Sequence, residues 1–165
     1  MTTINGKVCV ANGVAVDKVF SDGKQVYGRN LISGSYDSSW SYTGWNGGIV
    51  EKVTMDSGEV VLHVIGDARS GGFWEHIDLP SGKYTISLEV KGTGTMNQLG
   101  WEHISDAGMN LTSDWKRVSR TGSINSNNWY AFVFYGKMDA YVRLPKIEQG
   151  DVATPWTPAP EDVLK

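Results

Sequence analysis

The chain has 165 residues, a net charge of −3 at neutral pH and a single cysteine. That length suits one domain of about 100–150 residues with appendages, not two full domains. Lys and Arg are scattered singly, so no basic stripe exists to release counterions from a nucleic-acid backbone, and no run approaches the ~20 apolar residues of a membrane span. The N-terminus shows no signal-peptide pattern, so no export address and no membrane insertion are expected, and the lone Cys9 rules out an internal disulfide or a multi-cysteine zinc site.

Twenty glycines, with abundant Ser, Thr, Asn, Val and aromatic residues, make a composition of short strands joined by tight turns. Residues 1–28 carry Asn5-Gly6, Asn12-Gly13 and Asp22-Gly23, dipeptides that favour the left-handed turns of two-residue hairpins. Strand-length runs lie between them, so this stretch is predicted to be a β-hairpin arm. Such an arm is marginal in water unless it packs on the main domain or on a partner.

Residues 29–150 supply the main domain. Gly48–Met55, Glu59–Ile65 and Trp74–Leu79 read as strands, Glu59–Ile65 as a central one because it is apolar on nearly both faces. Lys83–Lys91 alternates, with Tyr84, Ile86, Leu88 and Val90 on one face and Thr85, Ser87 and Glu89 on a wet one. Asn97–Ser105, Trp115–Thr121, Trp129–Tyr135 and Asp139–Glu148 follow, giving roughly the eight strands of a two-sheet jelly roll. After Gly150, Pro155, Pro158 and Pro160 each fix φ and remove an amide donor, so residues 151–165 read as an extended, proline-rich exit linker. No amphipathic helix is predicted.

Seven tryptophans are the compositional outlier. A β-sandwich uses Trp as core filler, and Trp115, opening an alternating strand, fits that role. Several others adjoin turn residues: Trp40 in Ser-Ser-Trp-Ser-Tyr, Trp74 after Gly71-Gly72-Phe73, Trp101 after Gly100, and Trp129 after Asn127-Asn128. Trp45 fits either role, and Trp156, among prolines, is expected to pin the exit. An exposed ring stacks on the C–H face of a pyranose, while polar neighbours meet its hydroxyls. Here those neighbours are Arg69, His76, Glu102, His103 and Asn128. The phrase Trp74-Glu75-His76-Ile77 recurs as Trp101-Glu102-His103-Ile104. On adjacent strands the two copies would line one groove; chance recurrence of strand-compatible residues is the other explanation.

Lys146-Ile147-Glu148-Gln149-Gly150, followed by Ala153-Thr154-Pro155-Trp156-Thr157-Pro158-Ala159-Pro160-Glu161-Asp162, resembles a boundary in tail, baseplate and adhesion proteins of phages infecting Gram-positive bacteria. There it commonly closes a jelly-roll carbohydrate-binding module. Val19–Ile32 is similar to the hairpin and Asn-Leu-Leu-type opening that precede such modules, and Trp115-Lys116-Arg117-Val118-Ser119 resembles one of their strands. The resemblance implies a virion component made in the bacterial cytoplasm, with host cell-surface saccharide and other tail subunits as partners. It also raises a structural Ca²⁺, although no Asp-rich loop marks a place for one.

Metal and catalytic chemistry find little support. His76, His103 and a carboxylate lack metal-ligand spacing. Carboxylates such as Glu51, Glu59, Asp67, Glu75, Asp78 or Glu102 have nothing to single out a glycosidase pair, and no nucleophile elbow or phosphate loop is present. The expectation is a non-catalytic, cofactor-free glycan-binding module of a phage tail, using Trp40, Trp74, Trp101 and Trp129 as stacking rings. The alternative is a structural spacer that assembles the tail and takes no ligand.

Overall fold

A computed structural model describes residues 7–35, 42–67, 69–75, 79–101, 108–125 and 130–164, with the backbone alone at 69–71, 73–75 and 130–131. The arm contains β1 (Val10–Ala11), β2 (Val14–Ala15), β3 (Lys18–Ser21) and β4 (Lys24–Gly28), paired as two hairpins. Their turns adopt the left-handed geometry that the dipeptides predict, with φ of 53° and 77° at Asn12 and Gly13 and 50° and 75° at Asp22 and Gly23. Asn5-Gly6 lies outside the described residues.

The main sheet contains β5 (Tyr42–Gly44), β6 (Ile49–Thr54), β7 (Val60–Gly66), β8 (Arg69–Glu75), β9 (Gly82–Gly100), β10 (Met109–Asn110), β11 (Lys116–Ile124) and β12 (Tyr130–Gln149). Two runs predicted as separate strands on each side of a turn are single strands here: β9 and β12 each run through both layers. Residues 82–90 of β9 pair with β11, and 95–96 pair with β10. Residues 138–142 of β12 pair with β7, and 130–135 pair with β8. One layer is therefore ordered β6-β7-β12-β9-β11 and the other β5-β8-β12-β9-β10.

The bend between layers falls at Gly92, Gly94 and Gly136, with φ of 152°, 90° and 151°. A Cβ on them would collide with the carbonyl oxygens of Asp139, Lys137 and Thr95 respectively. Only glycine lets the two strands cross this closely while turning. Folding over brings Ile86 and Leu88 of one layer against Leu99 and Phe132 of the other. The core between them includes Leu62, Val64, Tyr84, Val90, Met96, Trp101, Phe134, Ala140, Val142 and Ile147.

The face of β9 predicted to be wet is not wet along its first half: Thr85 and Ser87 are buried. Beside them on β12 stand Lys146 and Glu148, opposite Ser87 and Thr85 in register, and these too are fully buried. The roof over this polar face includes the end of the arm, residues 28–35 and the exit segment.

That roof explains both sequence signatures. The Thr154 hydroxyl accepts from Lys146 Nζ (2.6 Å) and the Gly28 amide (3.1 Å), and donates to Glu148 Oε2 (2.7 Å). Its own amide donates to Glu148 Oε1 (2.8 Å). Asn30 does the same work for the opening motif. Its Nδ2 donates to Ser35 Oγ, Pro145 O and Thr157 O, while its Oδ1 accepts from the amides of Ile32 and Ile147. Trp156 Nε1–H donates to Ser35 Oγ at 3.3 Å, pinning the exit as expected. Residues 157–160 are buried and lead into a short helix, α1 (Pro160–Val163), where the sequence predicts none. The Asp162 carboxylate accepts the Gly34 amide, and Glu161 pairs with Arg29.

Candidate functional site

On the same outer face, beyond the roof, alternation leaves a row of residues open. Leu62, Val64, Ala140, Val142 and Val90 point into the core, so His63, Asp139, Tyr141, Arg143 and Lys91 point outward. Register places Glu51 opposite His63, His63 opposite Tyr141, and Tyr141 opposite Lys91. Trp115 precedes Lys116, which pairs with Val90, and so completes the row at the β11 edge.

Neighbouring strands stand about 4.8 Å apart, so aromatic residues directly opposite one another meet face to face. The His63 and Tyr141 rings stack at 4.4 Å with an interplanar angle of 5°. Lys91 Nζ lies 5.8 Å from the Tyr141 ring centre and 5.0 Å from that of Trp115, and Arg143 Cζ lies 4.1 Å from Trp115. The ladder thus presents ring edges and polar tips outward.

Most charges in the row are matched. A carboxylate can only accept, so His63 donates Nε2–H to Asp139 Oδ1 at 2.7 Å; its Nδ1 stands 3.5 Å from Glu51. Arg143 Nε donates to Glu89 Oε2 at 2.7 Å, and its Nη1 donates to Glu59. These groups offer acceptors near β6 and β7, and an ammonium, a phenol and an indole near β9 and β11. Such a row suits a molecule rich in hydroxyls, which needs donors and acceptors in alternation.

Two other places compete less well. A depression of about 460 Å³ is lined by Asp17, Arg29, Leu31, Leu79, Pro80, Tyr84, Gln149 and Glu161. Its guanidinium is already held by two carboxylates, Asp17 and Glu161. On the other layer Trp45 and Tyr135 meet edge to face at 6.5 Å. Among the described residues no group of three His, Cys, Asp or Glu side chains is placed to hold a metal. No helix there is long and apolar enough to cross a membrane.

The predicted site residues fare unevenly. Trp101 is 1% exposed and joins the core, so it is no stacking platform: at the end of β9 it faces the layer interior, where its size fills the sandwich. Arg69 and Trp74 lie on β8, opposite Tyr135 and Ala131 in register. Trp40, His76, Glu102, His103, Asn128 and Trp129 lie outside the described residues. β8, which ends in Trp74-Glu75, and β9, which Trp101 follows, are not neighbours, because β12 runs between them; the rest of both copies of the repeated phrase lies outside the described residues.

Trp115 corrects the reading in the other direction. It is half-buried, lying against Lys91 and Arg143, not in the core. Lys91, Tyr141 and His63 were missed as well. The alternation in Asp139-Ala140-Tyr141-Val142-Arg143 carried the signal for a polar outer face, but nothing in one strand reveals which residues its neighbours place beside it.

No protein-family model and no curated protein matches the chain. Among solved structures it is similar to the CBM22-1 xylan-binding domain of Xyn10C from Paenibacillus barcinonensis, at 14% identity and a TM-score of 0.54 over 78% of this chain and 99% of that one. The tandem CBM22-1–CBM22-2 domain of the same protein matches at 16% identity and a TM-score of 0.57, over 79% of this chain and 47% of that one. The CBM22-1–GH10 modules of Clostridium thermocellum Xyn10B, complexed with xylohexaose, match at 16% and 0.52, over 73% and 29%. The likeness shows the fold: an all-β jelly-roll sandwich of the kind seen in carbohydrate-binding modules.

Proposed function

We propose that the protein is a non-catalytic glycan-binding module that takes its saccharide along the row Glu51–His63–Tyr141–Lys91–Trp115. Fold alone does not fix function. The observation that carries the reading is this open, hydrogen-bonding aromatic row on the outer face, beside a roof that closes the rest of that face. The similarity to a xylan-binding domain supports it at the level of fold. The narrower setting, a phage tail or baseplate protein that attaches the virion to host cell-wall saccharide, is supported by the opening and closing motifs in the sequence. One shallow site of this type would bind at roughly 10 μM to 1 mM, and several copies would raise avidity by ~10²–10⁴.

The test is affinity electrophoresis and pull-down with plant polysaccharides and Gram-positive wall polysaccharides, using the protein displayed in many copies on beads beside Tyr141→Ala and Trp115→Ala displayed in the same way. Retention by at least one polysaccharide, weakened tenfold or more in both folded variants, is expected. Absence of retention by every polymer refutes it.

A second reading, an assembly contact, is favoured by one observation. Val10, Val14 and Phe20 of the arm are 48%, 68% and 61% exposed, an apolar surface on two small hairpins. Light scattering that finds a stable oligomer, lost on Val14→Asp with Phe20→Asp, would favour it.

A further inference from the structure

We infer, resting on the glycan-binding reading, that the saccharide is anionic and that Lys91 receives its carboxylate or phosphate group. Among the described residues Lys91 has no ion-pair partner; its ammonium is held only against the Trp115 and Tyr141 rings. Three carboxylates within the row are otherwise engaged, Glu59 and Glu89 with Arg143 and Asp139 with His63, while Glu51 stands at the far end on β6. The two rings draw the ammonium over the row, where its charge is open to an incoming anion.

The row is also polarised. Glu51 repels an anion from the β6 end, while Lys91 attracts it at the β9 and β11 end. Repulsion at one end and attraction at the other sets the orientation as well as the class of ligand. Bulk attraction cannot substitute for this contact, because the chain as a whole carries −3. Carboxylate and phosphate share the chemistry, as acceptors of charge-assisted hydrogen bonds from an ammonium. A uronic-acid polymer and a polyol-phosphate polymer are its two sources.

The experiment compares polygalacturonate, glycerol-phosphate teichoic acid and neutral xylan and glucan, by affinity electrophoresis at low and high salt. Wild type is set beside Lys91→Met, Lys91→Arg and, for bulk charge, Lys24→Met on the arm; thermal unfolding confirms that each folds. The expected result is tenfold or stronger preference for one anionic polymer, weakened by salt, lost in Lys91→Met and kept in Lys91→Arg and Lys24→Met. Which of the two polymers is retained identifies the anion. Equal retention of neutral polymers, or an unchanged preference in Lys91→Met, overturns the inference while leaving the glycan-binding reading in place. Retention of none overturns both.

Discussion

Asn30→Ala tests the idea that the opening and closing motifs exist to hold each other. Asn30 is fully buried, and its truncation strips partners from four backbone groups: the amides of Ile32 and Ile147 and the carbonyls of Pro145 and Thr157. Each such group costs about 1–3 kcal/mol when left dry. Taking the low end for each, and allowing water to reach one or two, the loss is about 2–3 kcal/mol. That is a large share of the ~5–15 kcal/mol that holds a domain together. In urea titration the midpoint should fall with the slope unchanged, and the melting temperature should drop by roughly 4–12 °C for a chain of this size. Ser35→Ala removes one of Asn30's acceptors and the partner of Trp156, and should cost only about 1–2 kcal/mol. An Asn30→Ala loss below about 1 kcal/mol, or one no greater than that of Ser35→Ala, would refute the reasoning.

Three further outcomes are expected. Burial lowers the pKa of Lys146 to about 8, so between about pH 8 and the ordinary lysine value the unfolded chain binds more protons than the folded one. Stability from this group therefore rises with pH across that window, the penalty being fully present below it; urea midpoints between pH 7 and 10 check the sign, and Lys146→Met should remove the slope. Gly136→Ala meets the Thr95 carbonyl and should lose about 3 kcal/mol or fail to fold, whereas Gly58→Ala, with φ of 82° and open space around it, should cost only the ~1–2 kcal/mol of a left-handed backbone. Thermal unfolding of the two separates collision from strain. Glu148→Ala leaves the Lys146 ammonium buried beside Thr154 without its carboxylate and should cost about 3–5 kcal/mol, while replacing both by Met should cost less. Denaturant titration of the single and double variants decides it.

Strand existence was legible wherever one period held: Lys83–Lys91 shows its core face in Tyr84, Ile86, Leu88 and Val90, and Asn12-Gly13 and Asp22-Gly23 announce their turns. What stayed hidden depended on partners. Thr85 and Ser87 look like a wet face until Lys146, Glu148 and the exit segment cover them, and residues 155–160 look like a free linker because their hydrogen bonds run to Asn30 and Ser35 far back in the chain. The same limit governs the site. Local turn signals suggested exposed rings, yet exposure depends on the layer facing a residue, which buries Trp101 and leaves Trp115 half open.

Because β9 and β12 each serve both layers, neither layer has a boundary at which it can come away alone. Separating one sheet from the other would tear the ladders of both, so amide-exchange protection should be shared across the sandwich instead of graded from sheet to sheet. The arm hairpins, which contribute no strand to either layer, are where independent opening should begin. The proposed binding row, spread across the sheet, then inherits the stiffness of the entire sandwich, and its side chains keep their spacing without needing a ligand to set it.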